Sequence, residues 1–236
     1  MQQVANRKIE HYINGDRLQS KEYLRDIETR AIYLNVSIVK KSLDFFFSLF
    51  LLVFVFSWLF PLIALIIKID SNGPVFFIQN RIGLNGEIFR CFKFRTMVLD
   101  NGRYMYTPVS KGDTRITRVG AFLRKTNLDE LPQFINVLLG DMSIVGPRPH
   151  AVAFHQTYSS FIEYIDTRHL VKPGITGLAQ VKGYRGDVPN FEENKTRTVT
   201  RIKYDIYYIK MWSLKLDMFI VYKTILQMLG RKTNAC

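Results

Sequence analysis

The chain has 236 residues, enough for one domain of ordinary size or a small domain with a membrane element, and too few for a large multidomain assembly. Hydrophobic residues make up 47% and charged residues 22%, which excludes a disordered tail or a low-complexity protein. Lys and Arg total 33 against 20 Asp and Glu, a formal charge of +13 that calls for an anionic partner, and the only cysteines, Cys91 and Cys236, exclude a disulfide framework and a Cys-based zinc site.

Residues 1–40 mix charged and polar side chains with weak apolar periodicity and predict a surface helix or a partly ordered arm. A membrane segment is expected over 41–68: from Phe45 to Ile67 there is no charge, and only Ser48, Ser57 and Pro61 interrupt the apolar run. As a straight helix this run reaches about 35 Å, against a hydrocarbon core of roughly 30 Å. Lys40 and Lys41 precede it and Lys68 follows it, so the positive-inside tendency pulls both ends to the cytoplasm. A bent, re-entrant helix resolves that conflict, with Ser57 bonding the backbone that Pro61 disrupts; a single-pass helix with a tolerated proline is the alternative.

Residues 69–236 read as one globule. DSNGP at 70–74 predicts a turn, and the β-rich runs 75–79 and 88–97 predict a hairpin closed at Asn85-Gly86. Residues 99–115 predict a loop. Helices are expected over 117–126, over 128–140 with Gly140 as its stop, and over 150–165, with the extended stretch MSIVGPRP between the last two. The glycine-punctuated segment 168–186 predicts a loop-and-strand wall around a ligand. Helices over 190–211 and 213–230 close the chain, the second capped by Ser213 and amphipathic, so that it either lies on an anionic bilayer or covers the core. The fold class is therefore α/β, mostly α with a small β-hairpin: a membrane helix, re-entrant or single-pass, then one compact globule with surface amphipathic helices.

Dinucleotide-binding, P-loop, HExxH and EF-hand motifs are absent, as is the Asp-Xaa-Asp pair of many nucleotide-sugar enzymes. The histidines His11, His150, His155 and His169 have no metal spacing. Nucleic acid is not an expected partner, since the aromatics concentrate in the apolar run rather than among base-reading side chains. The adjacent carboxylates Asp129 and Glu130 stand out, with Arg118, Arg124 and Lys125 just upstream. In a first helical turn they would be kept ionised by backbone N–H groups and the helix dipole, beside a pocket attractive to phosphate. The alternative is a capping box over Asn127–Glu130, with Pro132 in the first turn. Lys93 and Arg95 alternate along a strand and are either phosphate ligands or a solvated edge, and Arg148 is either functional or simply exposed on a stiff Gly-Pro-Arg-Pro turn.

The segments KFRTM at 93–97, LRKTNLDELPQFINVLLGDMSIVGPRP at 123–149 and VKPGITGLAQVKG at 171–183, after an apolar helix and VFFIQNRIG, closely resemble the bacterial sugar transferase family of monotopic phosphoglycosyl transferases. The likeness runs from about Lys40 to about residue 230, with the blocks in the family's order. It implies transfer of a phospho-sugar from a UDP-sugar donor to a polyprenyl phosphate acceptor such as undecaprenyl phosphate, with release of UMP. It also implies membrane lipids as partners, the bacterial inner membrane as location and the cytoplasmic face as the side of the catalytic domain. The Asp-Glu pair falls on Asp129, the implied nucleophile of a covalent aspartyl phospho-sugar, and Glu130, the implied Mg2+ ligand. Lys93, Arg124 and Arg148 are implied to bind phosphate or nucleotide, with Arg95 beside them. The Gly-Ile-Thr-Gly-Xaa-Ala-Gln block ends on Gln180, and Arg185 matches a family arginine to within a residue. Two departures are visible. Ser57 is followed by Trp58 where the family has an adjacent Ser-Pro, and Val181-Lys182-Gly183-Tyr184-Arg185 replaces Val-Asn-Gly-Arg. The irregular segments 99–115 and 182–196 are candidates for sugar selectivity. The other classes to weigh are a membrane-tethered basic scaffold without turnover and a glycosyltransferase that releases UDP. The sugar, the glycan pathway and the oligomeric state, a homodimer included, are not fixed by the sequence.

Overall fold

The computed structural model describes residues 21–98, 112–188 and 190–230; the expectations for residues 1–20 and 99–111 lie outside them. The first described helix, α1 (Lys21–Val36), is followed at once by α2 (Ile38–Leu51), which Ser37 caps by accepting the N–H of Lys40. A π turn at Leu52–Phe56 joins α2 to α3 (Ser57–Asp70), so the apolar helix runs 33 residues, from Ile38 to Asp70. Pro61 lies inside α3, and the relief assigned to Ser57 is a backbone one: the π turn widens the helix just ahead of the proline ring. By length and composition this helix is able to cross a membrane.

Both of its ends are tied to the rest of the chain. Near the start, Lys40 Nζ donates to Asp217 at 2.8 Å and to the Val145 carbonyl at 3.1 Å, while Asp44 accepts from the Ser143 hydroxyl at 2.6 Å. At the far end Asp70 accepts the Val119 N–H at 3.1 Å, and Ile63 and Ile67 bury against Phe94 and Leu123. The outer face stays uncovered, with Phe46, Phe54, Trp58 and Leu65 exposed.

The hairpin forms as expected: β1 (Phe76–Ile82) pairs antiparallel with β2 (Ile88–Phe94), in register from Phe76 opposite Phe94 to Ile82 opposite Ile88. Asn85 (φ 55°) and Gly86 (φ 82°) both take the left-handed conformation, which is why this dipeptide closes the turn. After α4 (Arg118–Thr126), which Asn127 ends at φ 59°, the helix expected over 128–140 divides into a 3-10 turn at Leu128–Glu130 and α5 (Gln133–Leu139), with Pro132, which has no N–H to donate, at the break. Gly140 ends α5 at φ 88°, as expected.

A second small sheet adds to the expected hairpin. The strand β3 (Ser143–Val145) pairs in parallel with β4 (Gly174–Thr176). Between them, α6 (Val152–Ser159) stops earlier than the expected 165, at Ser159, whose hydroxyl donates back to the Gln156 carbonyl; a 3-10 turn follows at Ile165–Leu170. The chain then makes the short helix α7 (Leu178–Val181) and two long helices, α8 (Phe191–Met211), capped by Asn190, and α9 (Leu214–Leu229), capped by Ser213. Ile202, Ile206 and Ile209 of α8 are fully buried and pack with Ile27 and Ala31 of α1 and Ile220 of α9. The last helix covers the core with Ile220, in line with one of the two expectations, and leaves Met218, Tyr222 and Leu229 exposed.

The loops that carry the site cross where only glycine fits. A Cβ on Gly174 would lie 2.1 Å from the Gly146 nitrogen and 2.5 Å from the Thr176 carbonyl oxygen, both backbone atoms. Gly174→Ala is expected to cost about 3 kcal/mol or more by forcing the backbones apart, read as a lowered Tm in detergent.

Candidate active site

The site begins with the turn that ends α4. Asn127 in the left-handed conformation swings Asp129 and Glu130 inward, and both are buried, 8% and 5% exposed. The capping reading does not hold here. Asn127 makes no side-chain cap bond and instead accepts from Arg185, while Glu130 is committed to cations.

Four donations converge on the Glu130 carboxylate. Its Oε1 accepts from Lys93 Nζ at 2.7 Å and Arg148 Nη2 at 2.5 Å, and its Oε2 accepts from Arg148 Nη1 at 3.0 Å. Arg185 Nη2 also stands 3.0 Å from Oε2. These contacts occupy all of the carboxylate's lone-pair directions. Burial alone would push this carboxyl up, but Arg148, Arg185 and Lys93 together hold it well below the usual carboxylate range. Lys93 itself is pushed down by burial, against the upward pull of Glu130.

Asp129 has the opposite environment. Its Oδ1 is buried without a hydrogen-bond partner. Burial, and then the charge of Glu130, push its carboxyl up, against a smaller downward pull from Lys93, Arg185 and Arg124. The helix N-terminus expected to favour the charged form is only a three-residue 3-10 turn, and desolvation is the dominant influence on this carboxyl.

The structure brings Lys93, Arg148 and Arg185 together around Glu130. Arg124 lies close enough for its charge to act on Asp129 and anchors to the Thr96 hydroxyl at 2.8 Å. Gln180 donates to the Ile175 carbonyl at 3.2 Å, and its Oε1 is buried without a partner. Arg95 is placed elsewhere. The strand ends at Phe94, which breaks the alternation with Lys93, and the Arg95 guanidinium donates to the carbonyls of Ser71 at 2.7 Å and of Asn72, tying down the exit of the apolar helix.

A cavity of about 390 Å³ opens beside Glu130. Asn127, Glu130, Gln180 and Arg185 line its polar end, and Phe47 and Leu51 of α2, Phe134 of α5, and Val221, Ile225 and Met228 of α9 line the remainder. Asn127 and Phe134 lie in the block at 123–149, which by itself gives them no place in a cavity, and the walls come from segments too far apart in sequence for any local pattern to join them. Chemically the site is a cluster of cations held together by one carboxylate, beside a second carboxylate with an open oxygen. Were Glu130 released from its cations, it and the open Asp129 oxygen would be a pair of oxygen donors of the type that suits Mg2+.

Residues 35–231 match the family described as bacterial sugar transferase. The chain is 52% identical over 172 residues to a UDP-glucose:undecaprenyl-phosphate glucose-1-phosphate transferase of Xanthomonas campestris, covering 72% of this chain and 35% of that protein. It is 48% identical over 163 residues to the Escherichia coli protein of the same name, covering 69% and 34%. An exopolysaccharide production protein, PSS, of Rhizobium leguminosarum is 42% identical over 201 residues, covering 82% of this chain and 96% of that protein. The chain thus spans about a third of the length of the first two relatives.

Proposed function

The chain belongs to the bacterial sugar transferase family, and from that premise we propose that it transfers a sugar-1-phosphate from a UDP-sugar to undecaprenyl phosphate, releasing UMP, at the cytoplasmic face of the bacterial inner membrane. The observation that carries this reading is the buried, partnerless Asp129 oxygen, within reach of the charges of Lys93, Arg185 and Arg124 and adjacent in the chain to Glu130, which lines an apolar cavity that reaches the membrane helix. Such a carboxylate is costly to bury unless it is used, and a basic scaffold without turnover has no use for it.

In the first step an Asp129 oxygen attacks the β-phosphorus of the donor. The bond from that phosphorus to the bridging oxygen breaks, and UMP leaves with the bonding pair. In the second step a phosphate oxygen of the acceptor attacks the same phosphorus, the bond to Asp129 breaks, and the carboxylate is restored. The donor's pyrophosphate offers Lys93, Arg148 and Arg185 a richer anion than Glu130, so the three guanidinium and ammonium groups turn to it and clamp the charge that develops. Glu130, relieved of them, together with the Asp129 oxygen, fits a Mg2+ ion, which when bound supplies further neutralisation of phosphate charge. The apolar walls take the first isoprene units of the acceptor.

A re-entrant path for the apolar helix is part of the same reading. A straight 33-residue helix is about 50 Å long, yet its start is bonded to Asp217 and its end to Val119 of the same globule. Such anchoring at both ends supports entry and exit on one face.

The test is nucleotide release from a UDP-sugar with Mg2+ in detergent. One equivalent of UMP per enzyme is expected without acceptor, and continuous UMP release once undecaprenyl phosphate is added. Release of UDP, or no release, overturns the proposal. Ile225→Trp, which fills the cavity, is expected to raise the KM for undecaprenyl phosphate about 10-fold while the first equivalent of UMP is unchanged.

A further inference from the structure

Three of the histidines that lack metal spacing in the sequence are brought together by the fold. His150 follows the Pro-Arg-Pro turn, His155 lies on α6, and His169 lies in the 3-10 turn before β4; one ligand nitrogen of each lies within 4.8 Å of the others. Asp166 arranges two of the rings. Its Oδ1 stands 3.1 Å from His155 Nε2 and 3.4 Å from His169 Nδ1. An ionised carboxylate only accepts, so each ring carries its proton on that side, and His155 Nδ1 and His169 Nε2 are left as bare lone-pair nitrogens. Both are buried without a partner, and so is His150 Nδ1.

Three buried nitrogens with no hydrogen bond, on rings whose ligand atoms come within 4.8 Å of one another, are an expensive arrangement for a protein interior. Burial disfavours the charged form of all three rings, pushing His169 down to about 3 and His150 well below the usual imidazole range with further help from Arg168, and lowering His155 despite Asp166. We propose that His150, His155 and His169 bind one zinc-class divalent ion, with Asp166 as the outer carboxylate that orients two of the ligands. Three neutral imidazoles suit zinc rather than the oxygen-seeking Mg2+ of the carboxylate pair, and a carboxylate behind a ligating histidine is the usual way its tautomer is fixed. Entry is from the surface, where Asp166 is largely exposed. Loading His150 through Nδ1 moves that ring's proton to Nε2, which now faces Arg168; the guanidinium turns away and keeps its bonds to Asp205 and to the Arg148 carbonyl.

The test is calorimetric titration of ZnCl2 into the full, tag-free chain in detergent with saturating Mg2+, which occupies the oxygen donors. One zinc equivalent per chain is expected, absent in His155→Gln and in His169→Gln, and bound 10–100-fold more weakly in Asp166→Asn. Because His169 is buried, His155→Gln and Asp166→Asn at the more open side decide the matter, with an unchanged melting curve of the zinc-free protein as the control for folding. No zinc binding by the wild type, or equal binding by wild type, His155→Gln and Asp166→Asn, overturns the proposal.

Discussion

Replacing Asp129 with Asn is expected to lower UMP release by about four orders of magnitude or more, a loss of the size seen when a catalytic nucleophile is removed, and to leave no phospho-sugar adduct on the chain after rapid quenching with labelled donor. The exchange is nearly isosteric and takes away a charge whose burial is opposed by desolvation, so the folded protein is expected to persist. The pH dependence adds a second signature. Asp129 has a folded pKa raised by burial and by Glu130, so the native state holds a proton over a window in which the unfolded chain has lost it. The stability contributed by the neutral form is complete below the unfolded value and is lost as pH rises through the folded one. Activity runs the other way, because only the ionised carboxylate attacks. Between the usual Asp value and the raised one, turnover therefore climbs while Asp129's contribution to stability falls, and the Asn variant lacks both trends. Near wild-type UMP release in that variant would remove Asp129 from the reaction.

What could be read from the sequence was what depends on neighbouring residues. Asn85-Gly86 announces its hairpin because both positions need a positive φ, and Ser213 announces α9 because an unsatisfied helix N-terminus recruits a hydroxyl. The family blocks placed Lys93, Arg148 and Arg185 as candidates, and the fold gathers them on one carboxylate. The failures share a different cause. The pairing of β3 with β4 joins two three-residue strands about 30 positions apart, too short for a period and too distant for a turn signal. Arg95 follows a strand pattern that ends one residue before it, so its side chain goes to the carbonyls of Ser71 and Asn72 rather than to the site. Asn127–Glu130 has the composition of a cap, and only the left-handed turn at Asn127 converts it into a device that carries two acids inward. The three converging histidines are on separate elements, so their spacing along the chain carries no trace of their meeting.

Glu130→Gln is expected to damage the empty enzyme more than the substrate-bound one. Glu130 is the carboxylate shared by Lys93, Arg148 and Arg185, all of which are largely buried, and Gln keeps the shape but not the charge. Removing one partner of a buried ion pair costs about 3–5 kcal/mol, because the remaining charge is left in a poorly polarisable surround. At about 2–4 °C per kcal/mol for a chain of this size, Tm should fall by roughly 6–20 °C. The distinguishing part is the rescue. If these cations serve to receive a pyrophosphate, then UDP or inorganic pyrophosphate supplies the missing negative charge, and the variant should gain more Tm from either ligand than the wild type does. The wild type must first surrender contacts to Glu130, whereas the variant has no such contacts to lose. A uniform Tm loss that neither anion restores would mean that Glu130 braces the loop after β3 and β2 for structural reasons alone, and the clamp on the donor's phosphates would have to be sought in other side chains.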